Sequence, residues 1–213
     1  MKKVYLSPSN QKSNKYAYGN TTEAIQAGRI AKYCKVALER CGVAVMVGQY
    51  DTMKNRCLKS NAFGADLHVP IHTNAYNGSV NGARLFCYNR TGKGWKACSN
   101  ILSRLKEISL SGSGNIKVDT TLFEVHYPSA PTAYVEVDFH DVPKVAKWII
   151  EHAEQIGEAI AHGICDYLGV TWKPKALPKM YRIQVGAYSD KTNAVRFLKI
   201  VRVDYPDAYI VES

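Results

Sequence analysis

The sequence predicts an α/β protein: a mixed, largely parallel sheet with helices on both faces, followed by a small C-terminal βαβ module. Short β-branched and aromatic runs alternate with longer segments whose apolar residues recur every three or four positions. Residues 43–47 are continuously apolar, as a strand buried on both faces would be. A Pro- and Lys-rich stretch at 171–179 then separates the main body from a short tail.

In order along the chain, Val4, Tyr5 and Leu6 form a strand closed by Ser7 and Pro8, and residues 11–20 are a polar loop. Asn20-Thr21-Thr22-Glu23 starts a helix, with Asn20 as N-cap and Glu23 three positions on. Ala24, Ala27, Ala31, Cys34, Leu38 and Cys41 line its apolar face, and Gly42 ends it. A second helix over 53–63 is stopped by Gly64, and strands follow at 66–72 and 83–88. A third helix covers 94–108, residues 111–115 are a Ser/Gly loop, and 132–137 is the next strand. Residues 143–168 are helical with a break near Glu151. Domain boundaries fall at 1–170, a linker at 171–180 and a module at 181–213, built as a strand (181–185), a helix (191–201) and a strand (208–211).

The chain has 213 residues, 46% of them hydrophobic, which is enough for one good core and excludes a disordered or collagenous protein. No stretch approaches the ~20 apolar residues that span a bilayer, so no integral membrane segment is expected. Met1-Lys2-Lys3 runs directly into the first strand without the apolar region of a signal peptide. The expectation is therefore synthesis in the cytoplasm. A net charge of +10, +6 in residues 1–170 and +4 in 171–213, favours an anionic partner, whether nucleic acid, a phospholipid surface or an anionic wall polymer; ordinary solubility accounts for it equally well, and charge alone does not choose. The six cysteines lack a tight framework or a C-x-x-C pair and read as buried, reduced thiols.

Open α/β sheets place ligands beyond the carboxyl ends of their strands. Residues 9–11 follow the first strand, His72-Thr73-Asn74 end the third, Glu136 lies near the end of the 132–137 strand, and Glu23 shares that rim. One imidazole and two carboxylates there are the material for a zinc–water site with a general base. Each also has a structural explanation: Glu23 completes the capping box and His72 hydrogen-bonds in the core. A carboxylate at Glu136, inside an apolar run, is costly unless it meets a metal, a cation or a catalytic task. His68 and His72 cannot share an ion, because four strand residues span ~13 Å. His126 and His140 are loop candidates; His152 and His162 read as structural. Nucleotide-binding loops, a serine nucleophile elbow and RNA-binding patterns are missing, so nucleic acid is not an expected partner.

Thr22-Glu23, Arg56, Asn61, Ala65-Asp66, Ile71-His72-Thr73-Asn74-Ala75, Gly82, Pro131 and Val135-Glu136-Val137-Asp138-Phe139, in that order, resemble the zinc-dependent N-acetylmuramoyl-L-alanine amidases of the amidase-3 family. The family includes phage endolysins and bacterial autolysins. The resemblance implies that zinc is bound by Glu23 and His72, that Glu136 is the catalytic carboxylate, and that Asn74 contacts substrate. The bond cut would be the amide joining N-acetylmuramic acid to L-alanine in peptidoglycan, at the bacterial cell wall after release. One departure stands out. The family's first strand usually ends D-P-G-H-G, whose His is a zinc ligand, and here it reads Ser7-Pro8-Ser9-Asn10-Gln11. Asn10 falls on the ligand position, with Gln11 as the alternative; His126 or His140 could reach in, or the fold has lost its metal and only binds wall. Tyr181-Arg182-Ile183-Gln184-Val185-Gly186-Ala187-Tyr188 and the helix with Asn193-Ala194 resemble half of a SPOR peptidoglycan-binding module. A half-module implies packing on the main domain, disorder, or pairing with a second chain as a homo-oligomer.

Overall fold

The computed structural model describes residues 1–176 and 184–212. The chain divides into two compact units, Met1–Lys175 and Ala176–Ser213.

In the first unit the elements run β1 (Lys3–Pro8), α1 (Glu23–Arg40), β2 (Ala44–Val47), α2 (Met53–Phe63), β3 (Leu67–Asn74), β4 (Ala83–Cys87) and α3 (Lys93–Ile108). They continue as β5 (Gly114–Val118), α4 (Phe123–His126), β6 (Tyr134–Phe139), α5 (Pro143–Glu151) and α6 (Ala153–Leu168). The six strands form one sheet in the order β2-β1-β3-β6-β4-β5. Four neighbouring pairs are parallel and β4–β6 alone is antiparallel. This is the mixed, largely parallel α/β sheet that the alternation of elements predicts.

Strand alternation gives the sheet two chemically different faces. Val4 and Leu6, Leu67, Val69 and Ile71, and Val135 and Val137 join the main apolar core with Ile30 and Leu38 of α1, Ile101 of α3 and Ile160 of α6. The alternate positions carry Tyr5, Ser7, His68, His72, Tyr134 and Glu136. Glu124 of α4 bonds to Ser7 and His68 from that second side, and Arg56 of α2 bonds to Pro8 O and Glu124. A sheet with one polar buried face is the scaffold on which a site can be built.

The helices pack closely over the apolar face. A Cβ placed on Gly163 of α6 would lie 2.5 Å from Ile101 Cα and 2.7 Å from its nitrogen, backbone atoms that cannot swing aside. Gly163→Ala is therefore expected to destabilise the protein by roughly 1–3 kcal/mol as α3 and α6 are forced apart. Urea unfolding followed by circular dichroism measures this, and an unchanged midpoint would mean the helices separate at no cost.

Several expectations need correction. β2 is an edge strand rather than one buried on both faces, with Met46 37% and Val47 40% exposed, because among the described residues it pairs with β1 alone. Asn20 is not the N-cap of α1: Asn20 adopts φ 45°, and Thr22 occupies the cap in extended geometry. β5 forms from residue 114 onward, where a Ser/Gly loop was expected over 111–115; its Gly-Asn-Ile-Lys-Val sequence carries little apolar signal. The single turn α4 is too short to show a helical period. The break between α5 and α6 falls at His152, beside the expected Glu151. All six cysteines are buried with free thiols.

In the second unit, α7 (Lys191–Asp204) is capped by the Asp190 carboxylate, which accepts from Asn193 N at 3.0 Å. It buries no residue. Residues 208–211, expected as a strand, are irregular, as are 184–185; residues 181–183 of the expected first strand lie outside the described residues. A strand needs a neighbouring ladder to satisfy its backbone, and among the described residues this unit offers none. No helix of the described residues is long and apolar enough to cross a membrane.

Candidate active site and metal centre

His72 and Glu136 are register partners on the adjacent parallel strands β3 and β6, so both side chains stand on the polar face. Glu23, the first residue of α1, closes the group: its Oε1 lies 2.8 Å from His72 Nδ1. Its other oxygen accepts from Asn14 Nδ2 at 2.7 Å, and Asn14 also donates to Gln11 Oε1 at 2.6 Å. The Glu23 carboxylate thus turns to His72 and Asn14 instead of closing a capping box. Tyr134 stacks on the imidazole with ring centroids 4.8 Å apart, which fixes the plane of His72.

The polar loop over 11–20 is held against the sheet by one aromatic lock. Tyr16 donates to Thr73 Oγ1 at 2.9 Å and stacks on His140 at 4.9 Å. His140 Nδ1 lies 2.9 Å from Thr73 Oγ1 and 3.0 Å from Thr73 O, and its backbone carbonyl accepts from Ala17 N. His140 is therefore committed to the loop rather than to His72, and burial lowers its pKa, favouring the neutral ring. His126 Nδ1 faces its own helix at Leu122 O, 3.0 Å away.

The structure does not bring Asn10 to the Glu23–His72 pair. Its exposed amide donates to Asp51 O at 3.3 Å, whereas Gln11 and Asn14 are the amides that join the group. Asn74 sits at the rim, where its Oδ1 accepts from Ala75 N at 2.8 Å and its carbonyl accepts from His140 N.

The two carboxylates are pushed apart in acidity. Burial alone would raise Glu23, but the hydrogen bond and charge of His72, with Ser9 and Asn14, hold it below the usual range. Glu136 is raised well above that range, first by burial and then by the negative charge of Glu23. His72 Nε2 and Glu136 Oε2 are both buried without a hydrogen-bond partner. Buried atoms of this kind are rarely left unsatisfied. A divalent cation between Glu23 and the His72 ring, with its water, would satisfy Glu136 Oε2 and relieve the repulsion between Glu23 and Glu136. Imidazole and carboxylate fit zinc in residue type, and the neighbouring Gln11 and Asn14 amides are engaged with each other and with Glu23.

Sequence reasoning missed a second polar cluster on the same face. Arg56 donates to Pro8 O at 3.0 Å and pairs with Glu124 Oε2 at 2.9 Å. Glu124 Oε1 accepts from Ser7 at 2.5 Å and lies 3.3 Å from His68 Nε2. The signal was an acid inside Leu122-Phe123-Glu124-Val125, a run too short to declare its helix. Cys57, His68 and Glu124 lie close enough to hold a metal ion, with donor atoms within 4.8 Å of one another. However, Arg56 already neutralises Glu124 at 2.9 Å, so a cation there would face its guanidinium. The cluster is an internally paired ionic network.

The sequence model of the family described as N-acetylmuramoyl-L-alanine amidase matches residues 4–166. Among solved structures, Cwp6 from Clostridium difficile is similar at 25% identity with a TM-score of 0.73; the match covers 78% of this chain but only 29% of that one. The N-acetylmuramoyl-L-alanine amidase AmiC2 of Nostoc punctiforme shares the fold at 19% identity and a TM-score of 0.71, over 79% of this chain and 97% of that one. The catalytic domain of the CD27L endolysin targeting Clostridia difficile does so at 19% identity and 0.67, over 78% and 98%. No curated protein matches the sequence.

Proposed function

Because this chain belongs to the N-acetylmuramoyl-L-alanine amidase family, we propose that it hydrolyses the amide between N-acetylmuramic acid and the L-alanine of the stem peptide in peptidoglycan, with Glu136 as general base. The observation that carries this reading is the buried, partnerless Glu136 Oε2 on the register partner of His72, whose Nδ1 lies 2.8 Å from Glu23 Oε1. An unpaired carboxylate in that position is expensive to keep unless chemistry uses it.

Glu23 and His72 would hold zinc, with the amides of Gln11 and Asn14 beside them in place of the family's usual first histidine. A bound zinc ion supplies Lewis acidity at the amide carbonyl and lowers the pKa of a water. Glu136 takes the proton of the attacking water and delivers it to the departing alanine amine. Tyr134 and Glu23 keep the imidazole oriented while this happens.

The catalytic domain would span 1–170, with 171–180 as linker. The segment 181–213, through its SPOR resemblance, is proposed as an auxiliary contact to glycan strands. The protein would act at the bacterial cell wall as an endolysin or autolysin.

Digestion of purified cell walls tests the reading: newly freed amino groups should belong to alanine, without new reducing sugars. New reducing ends would identify a glycosidase instead, and no new termini in a zinc-loaded sample would leave a wall-binding protein. A second expectation concerns the missing histidine. Asn14→Ala should weaken zinc binding by roughly 10–100-fold, as loss of a residue orienting a ligand does, while Asn10→Ala leaves it unchanged. Equilibrium competition with a chromophoric chelator reads both, and the reverse order would put Asn10 at the metal.

A further inference from the structure

At the opposite end of the sheet from Glu136, a cavity of about 520 Å³ opens where β1, β3 and β6 begin. Lys2, Asp66 and Pro131, which precede those three strands, lie on its wall together with Ser60, Lys93 and Lys96. Asp66 is six residues before His72 along one extended segment, so the cavity is ~20 Å from the proposed metal centre.

Three features favour an anion in this cavity. Lys2, Lys93 and Lys96 are exposed, and among the described residues none is in an ion pair. Lys93 and Lys96 sit in the first turn of α3, which contains no acid. Cations at that end oppose the helix dipole and the unbonded N–H groups, an arrangement that an anion would reverse. Ser60 is fully buried on the cavity wall, and its hydroxyl has no hydrogen-bond partner. Asp66, the acid on the wall, is engaged by Lys3, whose backbone N–H donates to its Oδ2 at 2.8 Å.

We propose that this cavity is a second, non-catalytic site that binds the phosphodiester groups of an anionic wall polymer, with Lys93 and Lys96 as the charged contacts. The choice of polymer rests on the amidase reading, which places the protein at a cell wall; the preference for phosphate oxyanions rests on the cavity alone. Holding a wall polymer ~20 Å from the catalytic end would keep the enzyme on its substrate between cleavages without occupying the active site.

The test uses the full chain with poly(glycerol phosphate), inorganic phosphate and duplex DNA as probes. Lys93→Glu/Lys96→Glu should fold normally, since acids suit the first turn of a helix, and should lose polymer affinity by about tenfold or more. Lys32→Glu/Lys106→Glu, which changes net charge equally at exposed sites elsewhere, should keep most of it. Equal loss in both doubles would reduce the binding to diffuse attraction, and no binding by the unmodified chain would remove the site. DNA binding as tight as the polymer's, with the same loss in the first double, would overturn the wall assignment. So would inorganic phosphate that binds but is not displaced by polymer. Alanine release from walls stripped of phosphate polymer is followed in parallel: unchanged polymer binding without alanine release would sink the amidase reading and leave the cavity's phosphate binding standing.

Discussion

Glu136→Gln is expected to lower alanine release from cell walls by roughly 10²–10⁴-fold while fold and zinc content stay intact, because the substitution removes only the proton carrier. The same variant should be more stable than the unmodified protein once metal is stripped. Glu136 has a folded-state pKa raised above its unfolded value, so its contribution is fully present below the unfolded value and lost as pH rises through the raised one. At neutral pH the stripped protein must either keep a proton on Glu136 or bury its charge beside Glu23, and glutamine does neither. The melting temperature of the stripped variant should exceed that of the stripped unmodified protein by more at pH 8 than at pH 5. Equal differences at both pH values would show that Glu136 is not strained by its surroundings. Full activity in the variant would remove Glu136 from proton transfer.

Arg56→Met should cost about 3–5 kcal/mol, the range for leaving one partner of a buried ion pair without the other. Arg56 and Glu124 are both 2% exposed at the side chain and 2.9 Å apart, so water cannot take over the lost interaction. Burial by itself would raise Glu124, but the hydrogen bond of His68 and the charge of Arg56, with Ser7, hold it below the usual range. Removing Arg56 leaves that negative charge stranded under α4. The double substitution Arg56→Met/Glu124→Leu should recover most of the loss, since apolar residues of similar volume replace buried pairs at little cost. Urea unfolding of the two singles and the double gives the coupling directly, and additive losses would mean that the two groups do not depend on each other. Arg56 also donates to Pro8 O at the end of β1, from which the chain runs to Gln11 and Asn14, so Arg56→Met should also loosen zinc binding.

Much of the fold was legible because its signals are local. The three- and four-residue spacing of α1, the Gly64 stop of α2 and the β-branched run of β6 each announce themselves within a dozen residues. The misses share one cause. β2 looks doubly buried by composition, and only its place at the sheet edge exposes Met46 and Val47. β5 and α4 carry too few apolar residues to show a period, and their order comes from the neighbours they pair with. Residues 208–211 have strand composition but no ladder to join among the described residues of their unit.

The candidate site divides along the same line. Residue type picked Glu136, because a carboxylate in an apolar strand carries a cost that shows in one dimension, and motif order added Glu23 and His72. Which amide stands beside them could not be read that way. Asn10 occupies the expected position in the sequence, yet the turn after Pro8 sends its side chain to Asp51 and brings Gln11 and Asn14 to Glu23 instead. The locking of His140 on Tyr16 and Thr73, and the pairing of Arg56 with a glutamate 68 positions away, are likewise settled only when distant segments meet. Sequence by itself determined the chemical inventory and the periodic elements, which depend on neighbours a few residues apart. Tertiary structure decided the partners, because hydrogen bonds and ion pairs act over about 3 Å in space, whatever the separation along the chain.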